Sequence, residues 1–317
     1  MSQQKPVKDK EMKNKETFMR KTVVVWLGAL ICCGLWGSAF PFIKIGYRLF
    51  EIPATDTGTQ ILFAGMRFSL AGILTIILGS ILSGKVLVPQ KKSASKIFKL
   101  CLLQTVIQYF FFYVGLANTS GVKASIIESV NVFAAIFIAS LLFHQEKLTA
   151  RKMIGSLIGF AGVVLVNISG GSLDAGFKLL GEGAIMLSAV SYAFSSVLIK
   201  SYSKEENPVV LSGYQFVAGG IVMILIGILM GGHLSVVSAQ GIGVLVYLAM
   251  VSAVAYSLWG ILLKYNPVSR VTIFGFMNPV FGVILSAVLL GESNTLGVTC
   301  LISLVLVSVG IYVVNKN

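Results

Sequence analysis

Two ionisable side chains lie deep within long apolar stretches of the sequence, Arg67 and Glu128. Because a charged group is costly in hydrocarbon, each of these residues is a candidate for function. Glu128 offers a carboxylate that could bind the ammonium group of a ligand or carry a proton. Arg67 offers a positive charge that could pair with Glu128, face a shared solvated cavity, or bind backbone carbonyls and fix its own helix in place. The sequence leaves these alternatives open.

Aromatic side chains form a second set of candidates, at Trp36, Tyr109, Phe112, Tyr192, Tyr256 and Trp259. Aromatic faces with a few polar tips suit amphipathic ligands, and they attract amines through cation–π interactions. Aromatic residues at helical spacing also simply pack between helices. These six residues are therefore predicted either to line a cavity or to fill a helix interface.

Amide side chains form the third set. Gln104 and Gln108 are four residues apart, so on a helix they share one face. That face is predicted to line a wet cavity, with a hydrogen-bonded contact between helices as the alternative. Asn131 and Asn278 are predicted to hydrogen-bond either a ligand or the backbone carbonyls freed near Pro279.

The other reactive side chains do not support enzyme chemistry. The two histidines, His144 and His233, lie at predicted loop ends, and the four cysteines lie inside apolar runs as small buried hydrophobic residues. The sequence shows no pattern of a catalytic triad, a metal site or a phosphate-binding loop. It therefore predicts a protein that is not an enzyme and that uses no cofactor or metal.

Composition indicates that membrane helices position these residues. The 317 residues are 56% hydrophobic and only 12% charged, whereas soluble chains carry about 25% charged residues. This composition excludes a soluble globular protein. The net charge of +13 would suit nucleic-acid binding, but the basic residues lack interleaved aromatics and cluster at residues 1–21. That segment is predicted to be a disordered basic cytoplasmic tail attracted to anionic lipid, and nucleic acid is not a predicted partner.

Apolar runs of about 20 residues, long enough to cross a membrane as helices, occur ten times. They are predicted at residues 22–45, 59–83, 97–117, 122–143, 152–168, 181–201, 208–230, 240–263, 269–290 and 295–314. With the tail in the cytoplasm, 20 of the 25 Lys and Arg residues fall on the cytoplasmic side and four on the other. Because cytoplasmic loops are enriched in these residues, the sequence predicts a multi-pass protein of the cytoplasmic membrane with both termini in the cytoplasm.

The chain also repeats itself at shifts of 147 to 156 residues. The matched pairs include Trp36 with Tyr192, Gly65 with Gly213, Arg67 with Gln215, Phe68 with Phe216, and Tyr109 with Tyr256. Their order predicts two five-helix repeats, residues 22–168 and 179–315. Because five is odd, the second repeat is inverted in the membrane, as in transporters whose site lies near the midplane between the repeats. Glu128 falls on Phe276, so this acid belongs to one repeat only.

Several segments resemble one known family. They are the run from Gly34 to Phe40 followed by Lys44, the pair Arg67-Phe68, the run from Glu146 to Thr149, and the run from Asn278 to Glu292. Together they resemble the drug/metabolite transporter superfamily, EamA type, over residues 22–315. The resemblance implies ten helices in two repeats and transport of small organic solutes, often the export of amino acids or related metabolites. The first repeat departs from the pattern, because Asn131 or Phe133 stands opposite Pro279.

The sequence therefore predicts a secondary transporter that exports or exchanges a small metabolite by alternating access. An amino acid or an amine is the predicted substrate class. The predicted substrate-binding residues are Trp36, Gln108, Tyr109, Glu128, Tyr192, Tyr256 and Asn278. The alternatives are multidrug efflux of lipophilic cations and a non-transporting membrane sensor or assembly partner.

Gating or structural roles are predicted for Pro41, Arg67 and Pro279. Pro41 lacks an N–H donor and is expected to kink its helix next to Gly34 and Gly37, as a gate hinge. The pairs Gly155 with Gly159 and Gly227 with Gly231 are expected to be close-packing faces, within one chain rather than between chains. The predicted partners are a small-molecule substrate, membrane lipid and a proton, and the chain is expected to be a monomer or a homodimer.

Overall fold

The computed structural model describes residues 14, 16–53, 55–119, 124, 127–168, 178–290 and 298–316, and within them the chain contains helices and no strands. In this described part of the chain, the helical segments after a short helical turn at residues 16–19 are grouped here as α1 to α10. The first five are α1 Thr22–Leu49, α2 Thr57–Ser83, α3 with its parts Lys91–Ser93, Ala94–Leu100, Cys101–Ile107 and Gln108–Asn118, α4 with Val130–Phe137 and Ile138–Leu142, and α5 Ala150–Ile168. The second five are α6 with Leu179–Gly183 and Ala184–Tyr202, α7 Pro208–Leu229, α8 Ala239–Tyr265, α9 with Val268–Thr272, Ile273–Phe276 and Met277–Leu290, and α10 Val298–Asn315.

Six of these helices, α1, α2, α3, α6, α7 and α8, are long and apolar enough to cross a membrane. Shorter apolar helices lie at Val130–Leu142 in α4 and at Leu301–Asn315 in α10. The prediction of an all-helical, multi-pass membrane protein is confirmed. The count of ten membrane crossings and the bounds of the two repeats stay predictions.

Local sequence signals explain several helix starts. Asn207 precedes Pro208 at the first turn of α7, and its side chain accepts a hydrogen bond from Val209 N at 3.0 Å. Asp56 caps α2 by accepting bonds from the hydroxyl and the backbone N–H of Thr59, at 2.7 and 2.9 Å. These two bonds from Thr59 hold the pKa of the Asp56 carboxyl below its usual value. Short polar side chains thus satisfy N–H groups that a helix start leaves without partners.

Glycines bring α2 and α7 into backbone contact. A Cβ atom built on Gly72 would lie 2.5 Å from Val217 N and 2.6 Å from Gly213 O. One built on Gly65 would lie 2.9 Å from Gly220 O. The repeat shift of 148 places Gly65 on Gly213 and Gly72 on Gly220. The contact of Gly72 with Gly213 is therefore the counterpart of the contact of Gly220 with Gly65. Helices α2 and α7 therefore cross antiparallel, through equivalent stretches of the two halves.

The second glycine contact joins α5 to α10. A Cβ on Gly155 would lie 2.8 Å from Gly310 O, which places the predicted Gly155 packing face inside the chain. Gly159 belongs to the same contact, because a Cβ on Gly310 would lie 2.7 Å from Gly159 N, and a Cβ on Gly159 would also meet the ring of Phe276. The prediction for Gly231 is wrong, because this residue lies in the turn after α7 at φ 84°, where a Cβ atom would meet nothing within 4 Å. A helix ends there because glycine adopts the left-handed conformation without strain.

Helix contacts repeat between the two halves. Helix α1 packs against α8 and α9, and its counterpart α6 packs against α3 and α4. Helices α2 and α7, and likewise α5 and α10, each meet their own counterpart, and α2 also packs against α8 as α7 does against α3. Helices α1, α3, α4, α6, α8 and α9 thus surround the region between the halves.

Helix irregularities lie next to several candidate residues. The π-helical segment Cys101–Ile107 ends where Gln108 begins, and the 3-10 segment Ile273–Phe276 lies directly before the segment that contains Pro279. Proline lacks an N–H, and its ring clashes with the carbonyl four residues earlier, which gives this tight turn a local cause. Helix α1, in contrast, continues as one helix through Pro41.

The last residues of the predicted tail contact one another and the loop after α8. Arg20 pairs with Glu16, and Met19 O accepts a hydrogen bond from Asn266 Nδ2 at 3.1 Å. Because Asn266 follows α8, this bond docks the tail on the loop between α8 and α9. The tail up to residue 13, residue 15, and Gly291 and Glu292 of the family-like motif lie outside the described residues.

Candidate functional site

Aromatic rings from four helices meet between the two halves. The Trp36 ring of α1 lies 5.0 Å from both the Tyr256 and the Trp259 rings of α8, and 6.4 Å from the Tyr192 ring of α6, measured between centroids. The Tyr109 hydroxyl of α3 lies 2.7 Å from the Tyr256 hydroxyl. The structure therefore brings together the four aromatic residues that the sequence assigned to the binding site. We call these four residues and Trp259 the aromatic cluster.

Three pairs in and around this cluster join repeat counterparts directly. Trp36 contacts Tyr192, Tyr109 contacts Tyr256, and Phe68 stacks on Phe216 with ring centroids 5.3 Å apart. A residue that touches its own counterpart lies close to the approximate twofold axis between the repeats. The sequence analysis missed Phe68 and Phe216 as neighbours of the site, although the same 148-residue shift had already paired them.

Polar atoms without hydrogen-bond partners lie in and beside the aromatic cluster. Among the described residues, these buried atoms include Trp36 Nε1, Gln108 Oε1, Glu128 Oε2, Ser188 Oγ, Trp259 Nε1 and Asn278 Oδ1. Gln108 directly precedes Tyr109, Glu128 lies within electrostatic range of the Tyr109 hydroxyl, and Asn278 is on α9, which packs against α1. Because a buried polar atom without a partner is costly, these atoms are available to hydrogen-bond a polar ligand.

Glu128 lies in a helical stretch at residues 127–128, directly before α4 and next to Ser188 of α6. Asn131 donates from Nδ2 to the Glu128 carbonyl at 2.6 Å, so this amide stabilises the connection from the acid to α4. The counterpart Phe276 is fully buried, with its ring 5.9 Å from that of Phe133. The site therefore has an ionisable side chain on the side of the first repeat and an apolar ring at the equivalent position of the second.

Arg67 is buried, with 3% of its surface exposed, and it binds α8. Its Nε donates to Leu248 O at 3.3 Å and its Nη2 donates to Ser252 Oγ at 3.0 Å. Within the described residues, the carboxylate of Glu128 forms no ion pair with this guanidinium. Arg67 thus joins helices, which is one of the alternatives that the sequence left open.

The two glutamines of α3 differ in their partners. Gln104 accepts a hydrogen bond from Gln215 Nε2 of α7 at 3.1 Å, and Thr105 donates to Gln215 Oε1 at 2.7 Å. Gln108 is also buried, and its Oε1 is without a partner. Gln104 therefore holds two helices together, while Gln108 retains an oxygen for a ligand.

Polar contacts tie four helix ends on the side that the sequence predicts to be cytoplasmic. After α4, Gln145 donates to Ser201 Oγ of α6 at 2.7 Å, and Glu146 accepts bonds from the N–H and hydroxyl of Ser269 in α9, at 3.1 and 2.9 Å. Lys200 of α6 binds Leu263 O of α8 at 3.2 Å. The contacts of Gln145 and Glu146 connect the two halves at these helix ends, and that of Lys200 joins α6 to α8 within the second half.

The described residues contain no group of three or more His, Cys, Asp or Glu side chains placed to hold a metal ion. The three cysteines whose side chains are described, Cys32, Cys33 and Cys101, are free and buried. Cys32 and Cys33 donate to the carbonyls of Ala255 and Phe274 at 3.4 and 3.2 Å. Cys32 and Cys33 thus act as small core residues that join α1 to α8 and α9.

Comparison with known proteins identifies the family. An uncharacterized transporter of Archaeoglobus fulgidus is 28% identical over 298 residues, which cover 92% of this chain and 99% of that protein. The uncharacterized inner membrane transporter YedA of Escherichia coli K12 is 28% identical over 264 residues, 82% of this chain and 80% of that protein. A solved crystal structure shares the fold at 19% identity, with a TM-score of 0.74 over 92% of this chain and 96% of that chain.

The model of the EamA-like transporter family matches residues 24–168 and again residues 179–316. The two matches cover nearly the whole chain and fall on its two halves. Transporter-named relatives and membrane-capable helices agree with this match. The chain is a membrane transporter that belongs to the EamA-like transporter family.

Proposed function

We propose that this protein is a secondary transporter that exports or exchanges an amino acid or an amine across the cytoplasmic membrane by alternating access. The observation that carries this proposal is the set of buried polar atoms without partners around the aromatic cluster. These atoms come from helices of both repeats, so a ligand that binds them contacts both halves at once. That position suits a carrier, whose halves move relative to each other around one site.

The chemistry of the site favours a ligand with a positively charged nitrogen. Glu128 supplies a carboxylate with a free oxygen, and Gln108 and Asn278 supply amide oxygens that accept hydrogen bonds. Aromatic faces add cation–π attraction for an ammonium group. The indole N–H groups of Trp36 and Trp259 are donors without partners, and they suit the carboxylate of an amino acid.

The same carboxylate could couple transport to protons. Glu128 has no acidic counterpart in the second repeat, where Phe276 stands. A proton and a substrate ammonium would then compete for one group, which is how an antiporter links opposite movements. The contacts at the predicted cytoplasmic helix ends would close that side while the substrate site opens to the other side. This arrangement agrees with two repeats, residues 22–168 and 179–315, that move against each other.

Thermal stabilisation of the purified protein tests the proposal. The melting temperature is measured with amino acids, amines and lipophilic cations at two pH values. A ligand of the native state raises it with concentration, and we expect stabilisation by amino acids or amines that disappears in Glu128→Gln. Glu205→Gln, at an exposed loop carboxylate, is the matched control. Stabilisation by many lipophilic cations instead would favour multidrug efflux, and stabilisation by none of these classes would contradict the proposed site.

Replacement of Trp36 should weaken ligand binding more than it weakens the fold. Trp36→Phe keeps an aromatic ring but removes the free indole N–H and shrinks the ring surface that faces Tyr256 and Trp259. We expect the ligand concentration for half-maximal stabilisation to rise about tenfold, the effect of roughly 1.4 kcal/mol. Trp26→Phe is the control, because Trp26 also has an unpaired indole N–H but packs on Phe274, outside the cluster. Equal effects of the two substitutions would contradict the assignment of Trp36 to the site.

A further inference from the structure

Two hydrogen bonds beside the aromatic cluster are counterparts of each other. In one, Arg67 of α2 donates to Ser252 of α8 at 3.0 Å; in the other, Thr105 of α3 donates to Gln215 of α7 at 2.7 Å. The 148-residue shift places Arg67 on Gln215, and the 147-residue shift places Thr105 on Ser252. The same link between helices is thus built twice, once with an arginine and once with a glutamine.

Each link holds the helix turn from which a tyrosine of the cluster projects. Ser252 lies four residues before Tyr256, and Thr105 lies four residues before Tyr109. Residues four apart on an α-helix lie on the same face, so Ser252 and Tyr256 share one side of α8. On α3, Thr105 lies in the π-helical segment and Tyr109 in the turn that follows it. The two tyrosine hydroxyls then meet at 2.7 Å close to the approximate twofold axis.

We propose that Arg67 and Gln215 are positioning residues that hold α8 and α3 so that Tyr256 and Tyr109 meet and close the centre of the substrate site. That the closed centre is a substrate site rests on the proposed function. The link between each residue and its tyrosine does not rest on it.

Further contacts show that this role differs from simple space filling. The Arg67 guanidinium lies 5.1 Å from the Phe68 ring centroid, and Phe68 in turn packs on the Tyr109 ring at 4.3 Å. Phe216, next to Gln215, packs on the Tyr256 ring at 4.9 Å. Each half therefore holds one tyrosine through the hydrogen bond and supports the other through the adjacent phenylalanine.

The two links are unequal in strength. Arg67 makes a charge-assisted bond and a second bond to Leu248 O, whereas Gln215 makes neutral bonds to Thr105 and Gln104. Charge-assisted bonds are about twice as strong as neutral ones. Tyr256 should therefore be held more firmly than Tyr109. Loss of the Ser252 hydroxyl in Ser252→Ala should disturb the tyrosine pair more than loss of the Thr105 hydroxyl in Thr105→Val.

A double-mutant cycle on the full-length, detergent-purified chain tests the proposal. The variants are Ser252→Ala, Tyr256→Phe and the combination, compared by melting temperature. Tyr256→Phe alone should lower the melting temperature by roughly 1–3 °C, as expected for one hydrogen bond between membrane helices. In the Ser252→Ala background this loss should fall by at least half, because the tyrosines no longer meet. Additive losses would overturn the proposal, since independent sites add.

The control pair is Ser269→Ala with Tyr256→Phe. Ser269, like Ser252, hydrogen-bonds a charged side chain through its hydroxyl, which it donates to the Glu146 carboxylate. This contact lies at the far helix ends, so the effect of Ser269→Ala should add to that of Tyr256→Phe. Coupling of the same size in this pair would show a general softening of the fold and would also overturn the proposal.

Near-ultraviolet circular dichroism and a rescue variant give a second readout. Two of the three tryptophans, Trp36 and Trp259, lie in the cluster, so displacement of Tyr256 should change the aromatic spectrum in Ser252→Ala. Ser252→Thr keeps the hydroxyl and should retain the wild-type spectrum. An unchanged spectrum in Ser252→Ala would contradict the positioning role. Neither readout uses a substrate, so failure of this proposal is distinguishable from failure of the proposed function.

Discussion

Glu128→Gln is expected to reduce transport of an amino acid or amine by more than about tenfold and to remove its dependence on pH. The amide keeps the size of the carboxyl but loses the negative charge that would bind an ammonium group or a proton. Loss of one partner of a buried charge pair costs about 2–5 kcal/mol, and each 1.4 kcal/mol is a factor of about ten. Uptake of labelled compound into proteoliposomes, measured across a range of external pH, checks this expectation.

Two controls make the result specific to the site. Glu205→Gln removes an exposed carboxylate that pairs with Lys92 and Lys96, and it should leave transport near the wild-type rate. The melting temperature of Glu128→Gln should stay close to that of the wild type, because Glu128 makes no ion pair within the described residues. A Glu128→Gln protein with wild-type rate and pH profile would show that the carboxylate has no part in transport.

Gly72→Ala is expected to destabilise the protein strongly, although it adds only one methyl group. The added Cβ would lie 2.5 Å from Val217 N and 2.6 Å from Gly213 O. These are backbone atoms of α7, which cannot rotate away, so α2 and α7 must separate along their contact. Overpacking costs typically about 1–3 kcal/mol, and here the loss of adjacent helix contacts adds to it. We expect a melting temperature lower by roughly 5 °C or more and a reduced yield of folded protein.

Gly243→Ala is the matched control for this substitution. Gly243 is also inside a helix, but a Cβ there meets no atom within 4 Å. Alanine also has the higher helix propensity, so this variant should melt at or slightly above the wild-type temperature. Equal melting temperatures for the Gly72 and Gly243 variants would contradict the close backbone contact between α2 and α7.

Much of the fold was predictable because membrane helices and repeats leave strong signals in sequence. Long apolar runs predicted the helices, with ends that differ by a few residues; α1, for example, extends to Leu49 rather than 45. Matching of the two halves paired Trp36 with Tyr192 and Tyr109 with Tyr256, and the structure shows both pairs in contact. Residues close to a twofold axis meet their own counterparts, so the repeat carried contact information.

Other features depend on three-dimensional packing that one sequence does not reveal. Arg67 binds Ser252 and Leu248 O because α2 packs on α8, and no local pattern names that partner. Gln104 and Gln108 share a predicted face, yet only Gln104 meets Gln215 of α7. The π-helical segment Cys101–Ile107 changes the direction of side chains within this stretch, which simple helical spacing does not anticipate.

Counterflow in proteoliposomes shows whether a small metabolite crosses by alternating access through a site between the repeats. Vesicles with the purified protein are loaded with an unlabelled amino acid or amine that stabilises it, and uptake of the same labelled compound is followed. We expect internal compound to accelerate uptake severalfold and Glu128→Gln to remove this acceleration. Flux without acceleration would indicate a channel, and no flux would indicate a non-transporting component. Either result would contradict transport by alternating access.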